Sequence, residues 1–374
     1  MKKKVACVLL SVFLLFPTAG CWDYHGLNEI TIVSGVAVDF DASNGDYMIT
    51  CEIVDNTSMK NQVLSKIVEA RGKTLLDAVR NAKRRAMNKL YWGNTRVAII
   101  GRDMASQIGV SSVVDWFLSD PECRETVPLI ISNEKTAGDL LKTEQFGSYM
   151  LRNIINDDQF DTSSIRSLSM YQIYNILKAQ GESLTLPIFH LAENDGKKLV
   201  ETYGEALFKD DKMVGMLNAE ESKYYLFAVN GVNGGVLPLY SANKNHYDIT
   251  LEIANSKSKT SFTNESGAVT MQITINTNVY LEEVNIDESL VDEALLHRIE
   301  FRAEEMIEQR IKSVVQKVQK EYGTDVFGFG NQIYKKNPSL WETMKSGWDT
   351  NFQKIKVNVT SKVTILNSAF LDHN

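Results

Sequence analysis

Residues 29–54 read EITIVSGVAVDFDASNGDYMITCEIV, and this stretch decides the class of fold. Ile30, Ile32, Ser34, Val36 and Val38 alternate with Thr31, Val33, Gly35, Ala37 and Asp39 as far as Phe40. That period of two, with both faces mostly apolar, predicts a buried strand. Asn44-Gly45 supplies the positive φ angles of a tight turn, and Tyr47 to Val54 alternates again, so a hairpin is expected. Thr74 with Asp77 three positions on opens a capping pattern, after which Leu75, Val79, Ala82, Ala86 and Leu90 recur at helical spacing until Gly93. Beyond it the patterning predicts a strand over 96–100, a helix over 104–118, a strand over 127–132 and a helical piece over 137–142, with a further strand near Ile67. Helices and strands in this alternation pack as helices on a mixed sheet.

Outward from that core, 145–156 and 168–179 read as two more helices, and Glu193-Asn194-Asp195-Gly196-Lys197-Lys198 breaks the pattern with charges and a glycine. Strand-like segments follow at 202–208, 212–216 and 224–229, the first two joined by a turn at Asp210-Asp211. Strands are expected again over 248–253, 269–281 and 355–366. With Asp287 as N-cap, an apolar stripe through Leu290, Ala294, Ile299, Met306, Ile311, Val315 and Val318 predicts a helix over 288–322, which no Gly or Pro interrupts. Such a helix is up to about 50 Å long. The expected class is α+β: an N-terminal α/β domain over 21–195, a small central β-rich domain over 196–246, and a C-terminal α/β domain over 247–374 that carries the long helix.

Residues 1–20 read as an address. Lys2, Lys3 and Lys4 precede twelve uncharged, largely apolar residues, Val5 to Phe16. A membrane-spanning helix takes about 20, so the run has the proportions of a secretory signal. Ala19-Gly20-Cys21 resembles the bacterial lipobox, in which the cysteine receives a diacylglyceryl group and becomes the mature N-terminus. Two acyl chains anchor stably where one anchors marginally, so the expectation is a body tethered through Cys21 with Trp22 beside the lipid interface. Cys7 leaves with the signal; Cys51 and Cys123 either pair as a disulfide or stay as buried thiols, and their spacing does not choose.

No catalytic or metal site, and no cofactor, is expected. The 374 residues are 44% hydrophobic and 23% charged, as in an ordinary globular protein, and the formal charge of -7 makes a poor candidate for a nucleic-acid backbone. The histidines, at 25, 190, 246, 297 and 373, are too scattered to nominate a metal cluster. Gly328-Phe329-Gly330 lacks the third glycine of a dinucleotide loop, and no phosphate loop or Gly-x-Ser-x-Gly elbow occurs. Arg80, Lys83, Arg84, Arg85 and Lys89 form the densest basic cluster, either a solvated helix face or a contact for anionic lipid.

Several strings, in order along the chain, resemble the C subunits of bacterial spore nutrient germinant receptors, the Ger(x)C lipoprotein family. They are Cys21-Trp22-Asp23 with Leu27-Asn28-Glu29; Trp92-Gly93-Asn94-Thr95-Arg96; Asp120-Pro121-Glu122-Cys123-Arg124; Tyr203-Gly204 with Met213-Val214-Gly215; and Asp325-Val326-Phe327-Gly328 with Trp341 and Trp348. The resemblance implies three mixed α/β domains, a lipid anchor on the outer face of the spore inner membrane, and two integral membrane partners, the A and B subunits. It implies a non-enzymatic part in assembly or signal coupling, with nutrient recognition on the membrane subunits. Trp22, Asp23, Trp92, Gly93, Arg96, Asp120, Pro121, Gly204, Gly215, Asp325, Gly328 and Trp348 are then motif positions expected to be chiefly structural. A lipoprotein that binds a solute and presents it to a transporter is the alternative.

Overall fold

The computed structural model describes residues 29–55, 64–86, 88–143, 146–240, 247–265, 267–284 and 292–366. Two sheets organise them. The first contains β1 (Ile30–Asp41), β2 (Asp46–Asp55), β3 (Leu64–Gly72), β4 (Lys89–Tyr91), β5 (Val97–Gly101), β6 (Leu129–Ser132), β7 (Thr185–Asn194), β8 (Lys197–Lys209) and β9 (Lys212–Asn218). Its order is β3-β2-β1-β5-β6-β7-β8-β9, with β4 paired to the start of β1. The predicted hairpin forms: β1 and β2 are antiparallel, and Gly45, at φ 65°, closes the turn by donating to the Asp41 carbonyl at 2.8 Å. From β1 through β5 and β6 to β7 the pairing is parallel, and β7, β8 and β9 continue antiparallel.

The period of two sorts residues onto two cores. Val36, Val38, Ala98, Ile100, Leu129 and Ile131 face one, where they meet helices α1 (Leu75–Lys83), α2 (Arg102–Gln107) and α3 (Ser111–Ser119). Ala37, Val97, Ile99 and Ile130 face the other, under α4 (Gly147–Asp161) and a 3-10 turn at Ala137–Leu140. The first core is completed by α5 (Met170–Lys178).

Helix α6 (Ala219–Ala228) leads to the second sheet, β10 (Val236–Tyr240), β11 (Tyr247–Glu265), β12 (Ala268–Val284) and β13 (Lys356–Ile365), in that order. Helix α7 (Glu293–Lys317) packs over it through Ile299, Ala303, Ile307, Ile311, Val314 and Val315. Asp292 caps it by accepting the Leu295 N–H at 2.7 Å, and a π-helical turn at Val318–Tyr322 carries it to Gly323, at φ 60°. The expected cap, Asp287, lies outside the described residues. Three short helices, α8 (Phe329–Lys336), α9 (Pro338–Met344) and α10 (Trp348–Lys354), close this core. The α+β class, the mixed sheets and the long late helix are as expected.

The secondary structure departs from expectation at several points: the helix expected from Leu75 as far as Gly93 ends at Lys83, and Lys89–Tyr91 beyond it is strand β4. The segment 224–229 is the end of α6, not a strand; Asn218 and Glu221 form its capping box, and burial of Tyr224 through Ala228 hides the helical period behind an unbroken apolar run. The expected helix over 104–118 is two helices, parted at Gly109, whose φ is 102°. The break at 193–198 is a hairpin turn, with Asp195 and Gly196 both at positive φ between β7 and β8. Turn residues and charges mark a hairpin as readily as a linker. The residues assigned to a small central domain therefore divide: β8 and β9 extend the first sheet, while α6 and β10 join the second core.

Candidate functional site

A cavity of about 650 Å³ opens where the N-terminal ends of β1, β5 and β6 meet the first turns of α4. Ser34 fixes its floor. Its hydroxyl donates to the Glu52 carbonyl and to Glu52 Oε2, both at 3.0 Å, and its carbonyl accepts the Arg96 N–H at 2.8 Å. Glu52 is fully buried and accepts the N–H groups of Gly147 and Ser148 at 2.8 and 3.0 Å, so a carboxylate sits on the positive end of α4. The walls carry Arg96, Arg124 and Arg152, with Phe146 and the exposed ring of Tyr149. The Arg96 guanidinium lies 5.3 Å from the Tyr149 centroid, within cation–π range.

A second polar cluster lies where the two sheets join. Asp325, buried, accepts the N–H groups of Phe329 at 3.1 Å and Gly330 at 2.8 Å, while its own carbonyl accepts from Ser183 N–H at 2.8 Å. Burial pushes its carboxyl up to about 7 against those two donors. Gly181, at φ 65°, lies against the Gly330 backbone with no room for a Cβ, and the Trp341 indole donates to Gln180 Oε1 at 2.7 Å. Nearby, burial raises Glu205 to about 8; one of its oxygens accepts the Arg166 N–H, and the other has no partner among the described residues. Thr185 and Tyr225 share a hydroxyl contact of 3.2 Å beside it.

The motif positions separate by environment. Trp92 is buried edge-on to Trp116 at 5.0 Å, and Gly93 leaves room for the Tyr91 hydroxyl. Asp120 ends α3 and accepts the Glu122 N–H at 2.9 Å, with Pro121 exposed between them. Gly204, at φ 143°, admits the Leu217 carbonyl, and Gly215 admits the Tyr322 ring. Gly328, at φ 69°, starts α8, and Trp348 is buried against Trp341 at 5.1 Å. Arg96 differs, because its side chain is exposed in the cleft and not packed in a core. Cys21, Trp22 and Asp23 lie outside the described residues. In the basic cluster, Arg85 donates to the Glu69 carbonyl and Lys89 pairs with Glu122 at 2.5 Å. Cys51 and Cys123 are free thiols, both pushed up to about 12 by burial, with Asp120 and Glu122 adding to the rise at Cys123. Of the described histidines, His190 faces Glu201 at 3.5 Å and His297 faces Glu300 at 3.0 Å; no group of metal ligands forms among the described residues.

Two sequence models match in tandem. One, described as the spore germination protein N-terminal domain, covers residues 23–191; the other, spore germination B3/GerAC like, C-terminal, covers 203–369. The chain belongs to the Ger(x)C family. This is a family of germinant-receptor subunits with a role in spore germination. Among its curated relatives, spore germination protein B3 of Bacillus subtilis (strain 168) is 25% identical over 94% of this chain and 95% of its own. Spore germination protein KC of the same organism is 22% identical over 92% and 90%. The crystal structure of the GerBC protein matches with a TM-score of 0.59 at 22% identity, over 89% of this chain and 97% of that one, a likeness of fold.

Tyr149, Arg152 and Glu52 were not singled out by sequence reasoning. The one signal was the i, i+3 spacing of Tyr149 and Arg152, which puts both on one face of α4.

Proposed function

We propose that this chain is the non-catalytic, lipid-anchored C subunit of a nutrient germinant receptor, acting in receptor assembly or signal coupling. Its partners are the two integral membrane subunits, A and B. Its place is the extracytoplasmic face of the spore inner membrane, held by a diacylglyceryl group on Cys21. The observation that carries this reading is the tandem match, which begins two residues after Cys21 and runs to residue 369. Among the described residues no helix is long and apolar enough to cross a membrane, so under this reading attachment falls to Cys21.

The test is Cys21→Ala in spores, with membrane fractionation, pull-down of the A and B subunits, and germination in response to nutrients. The variant is expected to leave the membrane fraction and to germinate poorly at normal abundance. Retention on the membrane with normal germination refutes the anchor.

A further inference from the structure

We propose that the cleft between β1, β5, β6 and α4 is a binding site for a phosphoryl oxyanion, held by Arg96, Arg124 and Arg152. Three guanidinium groups line one cavity in a chain whose formal charge is -7, a local inversion of the average. No described carboxylate lies in ion-pairing range of any of the three. Glu52, behind the wall, is already occupied by Ser34 and by the first N–H groups of α4. Several basic side chains elsewhere on the surface are neutralised locally: Arg71 pairs with Asp41, Lys89 with Glu122, Lys142 with Glu69 and Lys317 with Glu221. Bringing three like charges together without counter-charge is costly unless a ligand completes the site.

Two further observations point into the same cavity. Thr95 lines it, is almost fully buried, and its hydroxyl has no hydrogen-bond partner among the described residues, so a donor to a ligand oxygen is spare. Arg96 is held over Tyr149, which presets the direction of its donors. Guanidinium forks match the tetrahedral oxygens of phosphate in pairs, and a phosphomonoester carries a charge of about -1.5 to -2 at neutral pH, enough to balance most of the cleft. The group can come from a soluble phosphate ester or from a lipid headgroup. Ile32, on the wall, is eleven residues from Cys21, a span of at most about 40 Å. The oxyanion site itself does not depend on the anchor.

The experiment uses the full chain carrying Cys21→Ala, so that acylation cannot supply membrane binding. Inorganic phosphate and glycerol 1-phosphate are titrated calorimetrically, with acetate and chloride at matched ionic strength as controls, and flotation is measured on phosphatidylglycerol and phosphatidylcholine vesicles. Saturable binding of a phosphate, or flotation on the anionic vesicles alone, is expected; the first outcome identifies a soluble ligand and the second a headgroup. Arg96→Ala and Arg124→Ala should each weaken that binding about tenfold or more. Arg96→Lys should weaken it as well, because the paired donors are lost. Arg80→Ala with Lys83→Ala, which removes two charges from α1 where each cleft variant removes one, should leave it unchanged. Arg96 and Arg124 are exposed and form no ion pair among the described residues, so melting temperatures should stay close to the parent and keep the comparison valid. No binding in either arm, equal binding of acetate, or equal loss in the α1 variant overturns the proposal.

Discussion

Replacing Asp325 by asparagine keeps the shape of a buried side chain at the junction of the two sheets but removes its ionisation. In the folded chain burial holds this carboxyl at about 7, against an ordinary value of 3.8, with Glu182 adding to the rise. Between those values the folded state keeps the proton and the unfolded state does not. The stabilisation linked to this proton is therefore complete below about 3.8 and is lost as pH rises towards 7. Three pH units at about 1.4 kcal/mol each give a loss on the order of 4 kcal/mol. Asparagine keeps one carbonyl oxygen for Phe329 N–H or Gly330 N–H and cannot titrate, so its stability lacks this component. Urea unfolding at pH 4 to 8, followed by the fluorescence of Trp341 and Trp348 beside the site, measures both curves. Asp39 and Glu205, also raised, contribute equally to each and cancel in the difference. The parent's advantage over Asp325→Asn should shrink by about 4 kcal/mol across the range, most of it below pH 7. Parallel curves would refute the assignment of a buried, proton-holding carboxyl.

Glu300, Glu304 and Glu308 on α7 each accept one N–H of the edge strand β13, from Ile365, Val363 and Ser361, all at 3.0 Å. A four-residue helical step of about 6 Å matches a two-residue strand step of about 6.6 Å, so the carboxylates form a ladder along an otherwise open edge. Glu304→Ala should lower stability by about 1–3 kcal/mol in denaturant, with Glu304→Gln recovering most of it because the amide oxygen still accepts. Equal loss in both variants would assign the effect to the Lys362 ion pair, 3.2 Å away, instead of to the ladder. Cys51 and Cys123, raised to about 12, should resist a thiol reagent at pH 8 in the folded chain and both react in urea; rapid labelling of native protein would contradict their burial.

The parts of this structure that were legible are those whose local pattern and final environment agree. The strand of 30–41 has apolar residues on both faces because each face meets a core, and the long helix of 293–317 is free of glycine and proline with one apolar stripe on one sheet. Where a segment is buried on every side, as in Tyr224 to Ala228, periodicity vanishes and length alone misleads. Strand β7 went unread because Pro187 interrupts its apolar run, yet Pro187 sits opposite Glu205 in the antiparallel ladder. The cleft was legible only in pieces. Arg96 and Arg124 stand in recognisable strings, but it is the parallel pairing of β5 with β6 that brings their flanks together, and α4 that adds Arg152. That juxtaposition is long-range, and no window along the chain contains it.

Strand β8 ties the two cores together physically. Ala206 and Phe208 point into the core under α1 to α3 and α5, whereas Leu207 between them points into the core of the second sheet, with Leu217 of β9. One strand is thus a wall of both cores, and neither half can move without repacking it. The Gly181 and Gly330 backbones in contact, the Thr324 hydroxyl on the Phe208 carbonyl at 2.6 Å, and the Ser183 N–H on the Asp325 carbonyl tie the same region from the other side. Close packing makes such a junction stiff, because interiors of this density transmit displacement and do not absorb it. The acids buried there make it a joint whose stability falls as the surroundings rise from acid to neutral pH.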